Sequence, residues 1–303
     1  MSFCDIKTGT CAPEAPANKP SIDHDVTQTE SVNQLFAEIL YATDPICSHC
    51  WALEPAWRKL LYHYGANVKF RHVYGGLLPG WQGFQDAGAG IRKPADVAPH
   101  WAEVAQHYGQ PIDPSVWLTD PLDSSYPPSI AVHAVRMLAP EHEETFLRRI
   151  REALFLEAKN IACFELLAEY AQALGIDGQQ FTTLHQSGVA EACFRRDLAE
   201  VRQLGVRGFP TLIIQANAGK RAVLHGSQPY ARLEQALLQV TGLKPATPTP
   251  TPTPEQALKA YQSGTTKEFA ELLNRSHAAT AEALTAIGAK RRAIAGDAFW
   301  SIV

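Results

Sequence analysis

Two cysteines, Cys47 and Cys50, stand either side of Ser48 and His49 in the run YATDPICSHCWALEP, residues 41–55. Two cysteines separated by two residues at the start of a helix suit thiol–disulfide exchange. In that chemistry a thiolate attacks a disulfide sulfur, and a second thiol must resolve the mixed disulfide. The helix N-terminus stabilises a thiolate through its dipole and its free N–H groups. This makes Cys47 the expected exposed nucleophile and Cys50, one turn in, the expected buried resolving thiol. His49 between them would add positive charge or a donor, lowering the Cys47 pKa and favouring the dithiol. Two other readings stay open on this evidence: inert buried thiols, or half of a zinc site. A zinc site needs a second ligand pair. Cys4 and Cys11 offer one, but with six residues between them rather than tight finger spacing.

Other residues bear on the same chemistry. Pro55, five positions after Cys50, removes a hydrogen bond from the helix interior and implies a wanted kink. Pro210 in Gly-Phe-Pro-Thr opens an apolar strand where it has no N–H for the ladder. A cis Phe209–Pro210 bond would leave the Phe209 backbone beside the dithiol, free to pair with an extended substrate. Asp44, before Pro45, is a turn former that would also repel a thiolate. Glu38, on the first strand, is a candidate buried acid for proton transfer from Cys50. Trp51, Trp81, Phe84 and Trp101 read as packing residues. Cys163 and Cys193 lie in helix-like apolar runs and read as small buried hydrophobes.

The elements that must position these groups follow from periodicity. Phe36–Ala42 and Val68–Tyr74 read as strands, with a helix from Cys50 to about Tyr64 between them. Gly75-Gly76 is a breaker. Helices are predicted over Pro128–Leu138, Glu143–Glu157, Cys163–Leu174 and Val189–Leu204, with Gly175 and Gly205 as stops. The apolar end of Gly205–Gln215 is a strand, Ala222–His225 pairs with it, and Tyr230–Thr241 is a helix. The order is strand–helix–strand, a helical block, then strand–strand–helix. A thioredoxin fold has this order when helices are inserted in its middle.

The division expected is a polar tail over 1–32, a thioredoxin-like α/β domain over 33–78 and 205–243, and a helical insertion over 79–204. A Thr/Pro spacer over 244–254 and a helical segment over 255–303 follow. Alternate prolines in the spacer favour extended polyproline II geometry. The last segment is too small for a robust core, so it must dock on the main domain, on a second copy of the chain, or on a partner. The tail pair Cys4 and Cys11 is a candidate accessory redox pair. The roughly 25 residues after Cys11 reach on the order of 25–30 Å, enough to find the dithiol face.

The chain has 303 residues and a net charge of −4, which argues against a general nucleic-acid binder. Its first residues lack the apolar core of a secretory signal, and no apolar run approaches a membrane span of about 20 residues. The expectation is a cytoplasmic protein without membrane contact. Disulfide exchange needs no cofactor, so neither a cofactor nor a metal is expected.

Taken together, the Cys-x-x-Cys after a strand, Pro55, the inserted helices and Gly-Phe-Pro-Thr resemble the DsbA-like branch of the thioredoxin superfamily. TDPICSHCWALEP and VYGGL are most similar to its cytosolic FrnE-like and ClpXP-adaptor-like members. The resemblance covers about Phe36 to Leu243. It implies Cys47 as nucleophile, Cys50 as resolving cysteine, and Phe209 with cis-Pro210 as the substrate loop. His49 matches the histidine of the Cys-Pro-His-Cys form, but Ser48 replaces its proline. This departure points to a potential between the roughly −270 mV of thioredoxin and −120 mV of DsbA. The implied function is a thiol–disulfide oxidoreductase or isomerase acting on protein thiols. The alternative is an adaptor that uses the same fold to bind and deliver a client. A kappa-type glutathione-transferase activity, or the isomerase-type activity found with it on related folds, goes with serine at the first cysteine position, so Cys47 argues against it.

Overall fold

Alternation of apolar residues builds a four-stranded sheet from β3 (Ala37–Thr43), β4 (Val68–Tyr74), β5 (Thr211–Ala216) and β6 (Arg221–His225). Its order is β4-β3-β5-β6, with β3 parallel to β4 and antiparallel to β5, and β6 antiparallel to β5. The computed structural model describes residues 37–216, 219–243 and 251–302. It also describes the backbone of two short strands, β1 (Ser2–Asp5) and β2 (Thr10–Pro13), which pair antiparallel with Cys4 opposite Cys11. Most of the 1–32 tail and of the Thr/Pro spacer lies outside the described residues.

Helix α1 (Ser48–Tyr64) joins β3 to β4 and carries Pro55 in its interior. Between β4 and β5 the chain runs through α2 (Val97–Tyr108), α3 (Val116–Thr119), α4 (Tyr126–Leu138) and α5 (Glu143–Glu157). It continues through α6 (Phe164–Ala173), α7 (Gly178–Gln186) and α8 (Val189–Gln203). After β6 comes α9 (Tyr230–Thr241). The α2, α3 and α7 helices fall within the stretch expected to be mainly helical but were not placed individually, because their apolar residues are interrupted by polar and turn-forming ones.

Among the described residues there are two large cores, and α1 contributes to both. Leu53, Trp57 and Leu60 pack with Ile39, Tyr41, Leu212, Ile214 and the α9 residues Leu233 and Leu237. Trp51 and Ala52 pack among Trp101, Trp117, Phe146 and Phe155 of the insertion. The insertion is further fixed to β4 by polar contacts. Arg136 donates to the His72 carbonyl at 3.0 Å, and the Tyr74 N–H donates to Asp197 Oδ2 at 2.9 Å.

The C-terminal segment holds α10 (Pro254–Tyr261), β7 (Ser263–Thr265), α11 (Thr266–Leu273), α12 (His277–Ala286), β8 (Lys290–Ile294) and β9 (Asp297–Ser301). It was expected to be helical only, but it carries an antiparallel sheet of order β7-β9-β8. Gly296, at φ +76°, turns the chain between β8 and β9. The strand signal of β8 was hidden because its side chains, KRRAI, are almost all exposed and do not alternate. The module has its own core around Leu258, Phe269, Leu273, Leu284 and Trp300, and Tyr62 of α1 packs against it.

Candidate active site

Cys47 is the N-cap of α1, with extended backbone at φ −74° and ψ 109°. Its sulfur accepts a hydrogen bond from the Cys50 N–H at 3.2 Å, the role an N-cap oxygen usually takes. The Asp44–Cys47 turn sets this entry: the Cys47 N–H donates to the Asp44 carbonyl at 3.2 Å and the Ile46 N–H to Asp44 Oδ1 at 3.0 Å. From the other side comes the loop before β5, where the Phe209–Pro210 peptide bond is cis. Cys47 Sγ donates to the Phe209 carbonyl at 3.5 Å. The Phe209 loop also lines an open groove of about 620 Å³ with Gly205, Arg207, Gly208, His225 and Gly226.

Both cysteines are free thiols, and both are buried, Cys47 at 4% and Cys50 at 0% exposure. Cys47 is therefore less open than its expected role suggested. Burial pushes the Cys47 thiol well up, reinforced by its hydrogen bond to Cys50 and the nearby Asp44 charge, against the pull of the Cys50 N–H. Burial also works against a Cys50 thiolate. There the Cys47 hydrogen bond, the Arg151 guanidinium, the Thr43 hydroxyl and the Asp44 backbone outweigh it and hold that thiol below its ordinary value. Of the two thiols, the inner one beside Arg151 is the easier to ionise.

Three expectations need correction. His49 is half-buried, and burial together with the charges of His100 and His107 lowers its pKa, so it is neutral at pH 7. Its ring lies 5.7 Å from His100 and 5.8 Å from Tyr108, and among the described residues it makes no hydrogen bond to either sulfur. Glu38 is not the buried acid. It points to solvent, 3.5 Å from Lys69, because the alternation of β3 puts Ala37 and Ile39 inside and Glu38 outside. Cys163 is exposed and donates to Glu165 Oε2 at 3.1 Å; Cys193 is buried as expected, but is disulfide-bonded rather than a free thiol.

The buried acid near the dithiol is Asp44. Its Oδ2 accepts from the Leu77 N–H at 2.7 Å and from Ser125 Oγ at 3.0 Å. Full burial raises its pKa to about 6, despite these bonds, that from Ile46, and the Arg151 charge. The buried cation is Arg151, 1% exposed. It donates to Thr43 Oγ1 at 2.6 Å and to Glu54 Oε1 at 2.7 Å. Arg151 carries no local signal in the sequence, since it sits more than 100 positions from Cys47 and reaches the site only once α5 packs on α1. Trp51 is core, as read: its Nε1 donates to the Pro111 carbonyl at 2.9 Å and its ring stacks on Phe155 at 5.3 Å.

Among the described residues, no group of three or more His, Cys, Asp or Glu side chains is placed to hold a metal. The side chains of Cys4 and Cys11, invoked as a zinc half-site or an accessory redox pair, lie outside the described residues. Among those residues no helix is long and apolar enough to cross a membrane.

A dithiol at a helix N-cap, faced by a proline-opened strand and covered by inserted helices, defines a thioredoxin fold of the DsbA-like kind. The thioredoxin family profile matches residues 40–235, and the chain belongs to that family. It is 32% identical over 245 residues to the ClpXP adapter protein SpxH of Halalkalibacterium halodurans, across 80% of this chain and 77% of that protein. A putative protein disulfide isomerase from Nitrosomonas europaea superposes with a TM-score of 0.58 at 25% identity, over 67% of this chain and 97% of its own. The cytosolic disulfide reductase DsbM from Pseudomonas aeruginosa does so with a TM-score of 0.52 at 27% identity, over 67% and 99%. The DsbA-like assignment made from the sequence is borne out.

Proposed function

We propose that the protein is a cytoplasmic thiol–disulfide oxidoreductase or isomerase that acts on protein thiols. The observation that carries this reading is Cys47 Sγ held between the Cys50 N–H and the Phe209 carbonyl. In the reducing direction, Cys47 passes its proton to Cys50 and attacks a substrate disulfide, releasing one substrate thiol. Cys50 then gives that proton to the first departing sulfur, attacks Cys47 Sγ, releases the second sulfur as a thiolate and closes the Cys47–Cys50 disulfide. Two electrons pass to the substrate, and the reverse sequence oxidises it. The Phe209 backbone and the adjoining groove hold the extended substrate segment. Likeness to DsbM supports both the chemistry and the compartment. The domain division 33–78 with 205–243, interrupted by 79–204, serves this reading by seating the insertion over the dithiol. Insulin reduction tests it: wild type should be active and Cys47→Ala inactive, and equal rates would reject the proposal.

A second reading is an adaptor that delivers a client to ClpXP. Its support is the 80% of this chain that aligns with SpxH. Binding to purified ClpX, measured for wild type and for Cys47→Ala/Cys50→Ala, separates the two. Equal binding by both, with no insulin reduction by wild type, would favour the adaptor.

A further inference from the structure

Glu268 belongs to the C-terminal module, yet its carboxylate is buried against the main domain at 2% exposure. Oε2 accepts from Arg58 Nη1 at 2.8 Å and Arg148 Nη2 at 3.0 Å, while Oε1 meets Arg148 Nη1 and, at 3.3 Å, Gln110 Nε2. Arg148 also donates to Glu152 at 2.6 Å and lies 3.5 Å from Glu54 Oε2. Glu54 in turn holds Arg151, which is bonded to Thr43 and stands beside Cys50. An unbroken line of buried and partly buried charges thus runs from α11 to the dithiol. Arg58, Arg148 and Arg151 face Glu54, Glu152 and Glu268, with Glu144 and Asp44 also near Arg151, and the module's carboxylate is the one that meets both Arg58 and Arg148.

Capping alone does not require this position. Glu268 completes a capping box with Thr265, accepting from the Thr265 N–H at 2.8 Å, which an exposed glutamate does equally well. Insertion between two arginines of another domain is the additional feature. We propose that Glu268 is a positioning residue through which the C-terminal module sets the redox poise of the Cys47–Cys50 couple. The proposal rests on the dithiol reading. With Glu268 engaged, Arg148 is neutralised and Glu54 stays on Arg151. Without its charge, the line is more positive by one charge, Arg148 competes for Glu54, and a thiolate at the site is stabilised. A stabilised thiolate favours the reduced form, so the disulfide becomes a stronger oxidant.

The test is equilibration of the full chain with glutathione, in which disulfide plus two GSH gives dithiol plus GSSG. Glu268→Gln should raise this equilibrium constant about six- to sixteenfold, the scale of one charge acting across roughly 10–15 Å at an effective dielectric constant near 20. Arg148→Gln removes charge of the opposite sign and should lower the constant by a similar factor. A purely structural role predicts no such reversal: unchanged constants, or shifts in the same direction, would overturn the proposal. If Glu268→Gln does not fold, the sign of the Arg148→Gln shift decides. If wild type does not equilibrate with glutathione, the dithiol reading fails. The thiolate ultraviolet absorption of the same proteins against pH still reads the charge line, and identical titrations would overturn it separately.

Discussion

The Phe209 ring lies against the backbone of Gly75, so close that a Cβ added at Gly75 would fall 1.7 Å from Phe209 Cζ. The Gly75 N–H donates to the Thr43 carbonyl at 2.9 Å, so the strand end cannot retreat without losing that bond. Gly75→Ala should therefore push out the ring, and with it the carbonyl that accepts from Cys47 Sγ. We expect a loss of about 1–3 kcal/mol in unfolding free energy and a reduced rate of disulfide exchange. Urea unfolding together with insulin reduction checks this; unchanged values for both would show that Phe209 has room elsewhere.

Thiol reactivity should follow exposure and position. In the reduced protein Cys163 is open to solvent, while Cys47 keeps only 4% exposure and Cys50 has none. Alkylation at neutral pH, read by peptide mapping, should modify Cys163 without delay, then Cys47, and Cys50 last. Modification of Cys50 ahead of Cys47 would reverse the assignment of nucleophile and resolving thiol.

Much of the site was legible because it is local. Cys47, Cys50 and Pro55 announce a helix that begins at a reactive pair, and Pro210 marks a strand that opens without an amide donor. What stayed hidden is long-range. Arg151 and Glu268 have no spacing relative to Cys47; they are ordinary charges of amphipathic helices until packing buries them. Gly75 read as a strand terminator, and its need to be glycine appears only when Phe209 is laid across it. His49 was misjudged for the same reason. Adjacency in sequence suggested a positive charge, but the burial and the two histidines that keep it neutral come from folding α2 against α1.

That neutrality makes His49 testable. Its pKa is lowered by burial first and by His100 and His107 next, so at pH 7 it carries no charge for the dithiol. Replacing it with Gln should leave the glutathione equilibrium constant at pH 7 within about twofold. Any effect should grow only as pH falls through the lowered His49 value. A large shift at pH 7 would mean that the imidazole is charged there after all.

Deleting residues 255–303 should leave the main domain folded, since Phe299 and the partly buried Ile294 are all that the module adds to its two cores among the described residues. Arg58 and Arg148 would lose Glu268, but they would also regain water, so no buried unpaired charge remains. Uncovering Tyr62 and the rest of that face should lower Tm by several degrees while far-UV circular dichroism still reports the sheet and insertion helices. Failure of the truncated chain to fold would make the module part of the main core.

The last expectation concerns Asp44 and pH. Its carboxyl is fully buried and raised to about 6, above the value of about 3.9 expected in the unfolded chain. An acid raised in this way is penalised when ionised. Folding stability should increase as pH falls from about 7 towards 4, by on the order of 3 kcal/mol for a shift near two units. Other groups act in the opposite sense. His133 and His185 are held below their ordinary values by burial, and Glu268, lowered to about 2, loses its contribution as pH drops below about 4. The Asp44 share is therefore read as a difference. Asp44→Asn cannot titrate, and it replaces one acceptor of the Ile46, Leu77 and Ser125 bonds with a donor, which costs about 1–3 kcal/mol. Urea unfolding of both proteins between about pH 4.5 and 8 should show the stability gap widening on the acid side, as wild type gains what the amide cannot. Because the Asp44 charge also raises the Cys47 thiol, the same substitution should make Cys47 alkylate faster at pH 7. A stability gap that does not change with pH would show that Asp44 is not the group with the raised pKa.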